Sequence, residues 1–331
     1  MIRTHSRRHL LQAVAAACTT AALPGALAQA PEWPTTARPI TLVVPFTAGS
    51  GTDVLARLLA DRLGPAIGAR VIVDNRPGAG GTLGAAQVAR SAADGYTFLV
   101  HSSGHVANPA LFPNLPYDTL RDFVGVTPLA SLPNVLVVSP TRGWRDVAAL
   151  VAGAKAQPGA LNYGSAGNGS ATHLNAAKFR IAAGLTAQHV PFRGTPEAMT
   201  ATMAGQVDWF FSPLVSALPL INAGRLQALA VGTAGRSAAL PGVPSIVEAG
   251  LADATYTFWV GLFAPARTPQ AIIDRMHAEV LKVLALPEVR ERLAGLGAAP
   301  MPMPQAAFGK FIEDETRAAA ALVRTAGIRI E

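Results

Sequence analysis

Ile40-Thr41-Leu42-Val43-Val44-Pro45-Phe46-Thr47-Ala48-Gly49-Ser50-Gly51-Thr52-Asp53 is the stretch on which the fold turns. Its first five residues, apolar or β-branched, read as a strand buried on both faces. Pro45 stops the strand and small residues make a turn. Apolar residues then recur at helical spacing: Val54, Leu55, Leu58, Leu59, Leu63. Strand, small-residue turn and helix make the first half of a β-α-β crossover. In open parallel sheets ligands sit at the carboxyl ends of strands. Small residues let backbone approach a ligand, and the free N–H groups of a helix N-terminus favour an anion. Ser50 or Thr52 is placed to cap the helix, and Asp53 falls in its first turn, where a negative charge suits the dipole. Phe46, Ala48, Gly49, Ser50, Gly51, Thr52 and Asp53 are therefore candidate binding residues. A lone turn of this kind also serves as a plain cap, so the rest of the chain must decide.

Working outward, Val71-Ile72-Val73 forms a second strand, followed by a glycine-rich turn, a helix near Leu83–Arg90 and the strand Tyr96–Val100. After Leu132-Pro133 the pattern restarts: strand Asn134–Val138, helix Trp144–Ala156, strand Leu161–Tyr163, helix Thr172–Ala183, then His189–Phe192, Val207–Phe211 and Leu226–Val231. One strand (Tyr256–Phe263) and helices at Pro269–Leu284, Glu288–Leu293 and Gln305–Ala326 close the chain. Continuous apolar strands alternating with helices predict an α/β fold of two units, each a mainly parallel sheet flanked by helices. A helical tail usually packs back on a preceding unit. The expected division is lobe 1 at 29–133 plus 253–331 and lobe 2 at 134–252. Crossings near Leu132–Asn134 and Ala252–Thr255 would act as a hinge.

Four further segments carry candidate chemistry. Asn75-Arg76-Pro77-Gly78-Ala79-Gly80-Gly81-Thr82 follows strand two and offers Gly80 and Gly81. Its spacing misses G-x-G-x-x-G, and no Lys-Ser or Lys-Thr pair makes it a P-loop, so nucleotide binding is not expected. Tyr163-Gly164-Ser165-Ala166-Gly167-Asn168-Gly169-Ser170-Ala171-Thr172-His173 joins strand to helix in the second unit, with Ser165, Gly167, Asn168, Gly169, Ser170 and His173 as candidates. Arg193, Gly194 and Thr195 follow, Arg193 being the one full positive charge expected at the cleft. Asp208 is the last candidate, with Ser212 after its strand.

Composition limits the classes. The 331 residues are 50% hydrophobic and 14% charged, enough for two packed cores and unlike a disordered chain. Formal charge is +7; Arg outnumbers Lys but is scattered, with no basic stripe interleaved with aromatics, so no nucleic acid is expected. Arg3, Arg7 and Arg8 precede the apolar stretch Leu10–Leu27, and Ala26-Leu27-Ala28 or Ala28-Gln29-Ala30 fits an A-x-A site. Residues 1–28 thus read as a signal peptide cleaved near Ala28 or Ala30, placing the mature chain in the periplasm. Ser6-Arg7-Arg8-His9-Leu10-Leu11 resembles a twin-arginine signal, and Ala15-Ala16-Ala17-Cys18 leaves lipidation open. Cys18 is the only cysteine, so the mature chain holds no disulfide or thiolate metal site.

Enzyme readings find little support. Tyr163 and Asn168 stand two residues before Ser165 and Ser170, where a nucleophile elbow needs Gly. His101 and His105 bracket a strand end rather than lying on one helix face, which argues against zinc. Asp53, Asp74 and Asp208 are not visibly paired. No cofactor and no metal is expected. An extracytoplasmic hydrolase or isomerase is the alternative class.

The chain resembles the substrate-binding proteins of tripartite tricarboxylate transporters, the group named for Bordetella uptake proteins. The ordered set that carries the likeness is Pro45-Phe46…Gly49…Asp53, Asn75-Arg76-Pro77-Gly78-Ala79-Gly80-Gly81, Asp94-Gly95-Tyr96, Ser165-x-Gly167-x-Gly169-Ser170 with His173-Leu174, and Arg193-Gly194 before Gly205-Gln206-Val207-Asp208. The resemblance implies a two-lobed periplasmic binding fold, type II-like, closing as a Venus flytrap, with lobe 1 completed by the C-terminal segment. It implies a small carboxylate held by backbone amides of the Phe46–Asp53 and Ser165–Ser170 loops, with Ser102, Ser103 and the Arg193–Thr195 turn along the cleft. The implied partners are the membrane subunits of the transporter; a ligand-presenting sensor subunit would instead meet a sensor kinase. A monomer is expected. The run Thr47-Ala48-Gly49-Ser50-Gly51 departs from the Pro or Gly pair of many members, which leaves the ligand's shape open.

Overall fold

The computed structural model describes residues 33–328. The expected signal peptide, its cleavage sites, the twin-arginine motif and Cys18 lie outside the described residues. The decisive stretch folds as its pattern requires. Strand β1 (Ile40–Val44) pairs in parallel with β2 (Val71–Asn75) on one side and β3 (Thr97–Ser102) on the other. Helices α1 (Gly51–Ile67) and α2 (Thr82–Ala89) make the crossovers. After α3 (Gly104–Leu111), strand β4 (Phe123–Ser131) completes the first run of this sheet.

The second sheet contains β5 (Asn134–Val138), β6 (Asn162–Ser165), β7 (Gln188–Pro191), β8 (Trp209–Pro213) and β9 (Gln227–Val231). Its helices are α4 (Val147–Ala156), α5 (Ala171–Ala182), α6 (Thr195–Met203) and α7 (Leu214–Asn222). The chain then returns through β10 (Trp259–Pro265), α8 (Gln270–Ala285), α9 (Pro287–Gly295), the two-residue β11 (Ala299–Pro300) and α10 (Gln305–Ala326).

The strand orders are β11-β4-β10-β3-β1-β2 and β7-β6-β8-β5-β9. In each sheet most strands run one way, as expected (β2, β1, β3 and β4; β7, β6, β8 and β9), but antiparallel strands make both sheets mixed. β2-β1-β3 and β7-β6-β8 are parallel, but β10 runs antiparallel to β3 and β4, and β5 antiparallel to β8 and β9. A continuous apolar run reports burial on both faces, not strand direction. Each antiparallel intruder is the strand that follows a passage from the other sheet. The two lobes therefore repeat one plan, β2-β1-β3-β10-β4 in the first matching β7-β6-β8-β5-β9 in the second.

Packing follows the two-residue alternation of strands. Leu136 and Val138 of β5 join Tyr163, Phe179, Trp209 and Phe211 on one face, while Val135 and Val137 join Phe210, Leu214 and Met199 on the other. In the first sheet Val43, Leu99, Trp259 and Phe263 pack against Phe308 and Ile312 of α10. Further along, α10 reaches the second lobe: Val323 clusters with Leu174, and Arg180 Nη2 donates to Ala326 O at 3.1 Å. Among the described residues no helix is long and apolar enough to cross a membrane.

Candidate functional site

Parallel strands deliver the chain to the carboxyl edge of each sheet, and of the helices that begin there four open on one place. α1 starts after Ser50, α5 after Ser170, α6 at Thr195, and α7 after Pro213. One cavity collects these starts. Its walls are Phe46, Ser50, Gly51 and Thr52 from the β1–α1 turn, Ser102 at the end of β3, Phe258 before β10, and Ala166, Ser170, Ala171, Thr172, Thr195 and Pro213 from the second lobe. Its volume is about 10 Å³, the room of roughly one water molecule. No lining residue is charged. Helix geometry leaves the first-turn N–H groups of α1 and α5 without intrahelical acceptors, and aligned peptide dipoles make each such end partly positive.

Ser50 marks the point of contact. The residue is 2% exposed, and its buried hydroxyl lacks any hydrogen-bond partner and does not cap α1. A buried hydroxyl without a partner costs about 1–3 kcal/mol, a penalty that a ligand oxygen removes. Thr52, Ser102 and Thr195 line the same space.

Other expected residues shape the site without facing it. Asp53 is buried, and its carboxylate accepts from Gly49 N (2.9 Å), Arg57 Nε (2.9 Å) and Asn75 Nδ2 (2.9 Å). Burial pulls its pKa up, but the hydrogen bonds from Arg57, Gly49 and Asn75 outweigh that and hold it below the ordinary carboxylate value. Asp53 thus braces the Phe46–Ser50 turn. Ser165 Oγ accepts from Gly167 N (3.0 Å), Gly169 N donates to His173 Nδ1 (3.2 Å), and Ser170 N donates to Gly167 O (3.1 Å). Most amides expected to grip the ligand from this loop are therefore engaged internally, and the donors left on this side are the first N–H groups of α5.

The Gly78–Gly81 turn meets the second lobe instead of an anion. Gly80 has φ +62°, and a Cβ there would overlap Asn168 O. Gly81 lies against the His101 ring. Two hydrogen bonds join the lobes at the first turn: Thr47 Oγ1 donates to Glu197 Oε2 (3.0 Å) and Ser216 Oγ to Gly49 O (3.1 Å). Gly194 packs on Thr47, and Ala48 lies exposed beside it. Arg193 is exposed and lines an outer groove of about 590 Å³ with Gly80, Phe112, Gly167, Asn168, Phe192 and Glu197. Ser103 bonds to the Tyr256 hydroxyl at 3.2 Å, away from the main cavity.

Asp208 corrects a sequence expectation. It precedes β8, so it lies at the amino edge of the sheet, accepting from Asn162 N (2.7 Å) and pairing with Arg142. Sequence reasoning missed Phe258, Pro213 and Thr172 as wall residues. The first two carry no polar signal, but Thr172 stands where the helix after the Ser165–Ser170 loop was expected to begin. His101 and His105 stack in the core at 5.0 Å, and burial drives the His101 pKa down to about 3. Among the described residues no cluster of His, Cys, Asp and Glu is arranged to hold a metal.

A two-lobed α/β molecule whose helix starts converge on one uncharged cavity is a solute-binding protein by architecture. Comparison with known proteins gives the family: the profile of the tripartite tricarboxylate transporter family receptor matches residues 55–328, and the chain belongs to that family. A protein of Pseudomonas sp. strain P51, from the tcbD-tcbE intergenic region, is 40% identical, the match covering 88% of this chain and 86% of the relative. BugT of Bordetella pertussis is 35% identical over 89% and 91%. Among solved structures, Rhodopseudomonas palustris Rpa4515 with adipate has TM-score 0.87 at 34% identity, covering 90% of this chain and 99% of its own. MatC of the same organism, with bound malate, has TM-score 0.83 at 33% identity, covering 87% and 100%. The family's members are periplasmic binding proteins, not enzymes.

Proposed function

We propose that this protein captures a small organic carboxylate in the periplasm and delivers it to the membrane subunits of a tripartite tricarboxylate-type transporter. Residues 1–28 direct export, 29–133 and 253–331 form one lobe, 134–252 the other, and the passages at Leu132–Asn134 and Ala252–Thr255 are the hinge. The carboxylate docks between the N-termini of α1 and α5, accepting N–H groups of Gly51, Thr52, Ala171 and Thr172 together with the Ser50 hydroxyl. The observation that carries this reading is the buried, unpartnered Ser50 hydroxyl at a cavity where helix N-termini of both lobes meet. Helix ends stabilise an anion without burying a counter-charge, which fits a wall with no Arg or Lys. The outer groove, with Arg193 at its edge, receives the far end of a longer acid. Adipate and malate in relatives of 34% and 33% identity support this chemistry.

A thermal-unfolding screen of organic acids against their neutral amides tests it. At 100 times Kd an acid adds about 2.7 kcal/mol to the folded state, a shift of several degrees. Acids should raise Tm and amides should not. Equal shifts from both, or none from any acid, would sink the proposal.

A further inference from the structure

Two histidines behind the second-lobe loop have no part in the grip just described. His173 is the third residue of α5 and His189 lies in β7. Their rings stack face to face, with centroids 3.8 Å apart and planes 4° from parallel. The stack ends a longer ladder. Trp209, Tyr163 and His189 are register partners on the adjacent strands β8, β6 and β7. The Tyr163 ring lies 4.7 Å from Trp209 and 5.1 Å from His189. Three paired strands thus fix the ladder, and His173 takes its position from its last rung.

Both rings make hydrogen bonds to the loop. Gly169 N donates to His173 Nδ1 at 3.2 Å, so that nitrogen carries no proton and Nε2 does. His189 Nε2 is 2.6 Å from Ser165 Oγ, which accepts Gly167 N and lies 3.1 Å from Gly167 O. The loop is held at both ends, and Ser170, Ala171 and Thr172 run directly from it into the cavity wall.

We propose that His173 and His189 are positioning residues of the ligand site: through Nδ1 of His173 and Nε2 of His189 the neutral rings hold the Ser165–Gly169 turn in the shape that aims the first amides of α5 at the ligand. The proposal rests on the carboxylate reading of the cavity. Neither ring lines that cavity, so neither touches the ligand. Protonating His173 Nδ1 would set a donor against the Gly169 N–H, and charging both rings would place two cations 3.8 Å apart. Burial, then His189 and Arg180, push the His173 pKa down to about 3, and burial pushes His189 down to about 4. Arg180 and the Tyr163 hydroxyl are the other titratable groups at the stack, and neither favours a charged ring.

The variants His173→Ala, His173→Asn and His189→Gln separate positioning from packing. Asn keeps an acceptor where Nδ1 stands, and Gln keeps a polar atom where Nε2 stands, while each removes the stacked ring. Amide exchange at Gly167 and Gly169 is read by NMR, and affinity for adipate and malate by calorimetry. His173→Ala should speed exchange at Gly169 and weaken the bound acid, each about ten-fold. His173→Asn should restore both to within about three-fold of wild type, and His189→Gln should protect Gly167 likewise. Unchanged Gly169 exchange in His173→Ala, or His173→Asn as impaired as His173→Ala, overturns the proposal. Should His173→Ala not fold, the wild-type ring tautomer decides: a proton on Nε2 supports the proposal and one on Nδ1 overturns it. If neither acid binds the wild type, the carboxylate reading fails for those probes, and exchange and tautomer still decide the role of the pair.

Discussion

Gly80 is where a single methyl group tests whether the lobes close as described. The residue has φ +62°, and a Cβ there would overlap Asn168 O and lie 2.9 Å from its carbonyl carbon. The oxygen would stand only 1.7 Å from that Cβ, and ordinary heavy-atom contacts to carbon begin at about 3.5 Å, so Gly80→Ala requires the facing turns to part by about 1.5–2 Å. Two costs follow, and they separate. The left-handed backbone strains alanine by about 1–2 kcal/mol in open and closed forms alike, which lowers Tm without changing affinity. The overlap arises only when the Gly78–Gly81 turn meets the Gly167–Asn168 turn, and overpacking of this kind costs about 1–3 kcal/mol. Ligand binding draws on the difference between closed and open contacts, so Kd should rise roughly five- to 150-fold. Calorimetry with adipate and malate reads the affinity, and small-angle scattering reads compaction at saturating acid. Wild-type affinity together with wild-type compaction would refute the closure geometry.

Ser50→Ala removes an unpartnered buried hydroxyl, so Tm should hold or rise while affinity falls about ten-fold; a lower Tm with unchanged affinity would contradict the role given to Ser50. Asp208→Asn loosens the pairing with Arg142 and should lower Tm without altering the ranking of acids by calorimetry, because the residue sits at the far edge of β8. His101, His105, His173 and His189 are all held below the ordinary histidine value, chiefly by burial. The unfolded chain therefore takes up protons below about pH 6.5 while the folded chain does not. Stability should fall as pH drops from there, by up to about 1.4 kcal/mol per pH unit for each histidine. Urea unfolding at pH 7.5, 6 and 5 checks this, and a flat profile would contradict neutral burial.

The strands that were legible are β-branched runs closed by Pro or Gly, such as Ile40–Val44 and Asn134–Val138, because burial on both faces leaves an unbroken apolar signature. β4 escaped notice because Gly125 and Pro128 interrupt its pattern, and α3 because Gly104 opens it and Pro109 lies inside it. α1 runs on through Pro65 to Ile67, beyond its last periodic leucine. The site was readable where a small-residue turn follows a parallel strand, which located Ser50 and Ser170. Hydrogen-bond direction was not readable there: nothing local tells that Asp53 turns back onto Gly49 and Arg57, or that His173 takes the Gly169 amide. The Asp208 expectation failed on a signal that was present, since a residue before a parallel strand lies at its amino edge. Phe258 joins the wall only because β10 inserts beside β3, a long-range pairing that no local pattern encodes.

The central claim is that an acid group sits where helix N-termini of the two lobes meet. A crystal structure of the protein with an acid that raises its Tm measures this directly. A carboxylate oxygen within hydrogen-bond distance of Ser50 Oγ and of the first amides of α1 and α5 is the expected result. An acid bound in the outer groove alone, with Ser50 still unpartnered, would contradict the account.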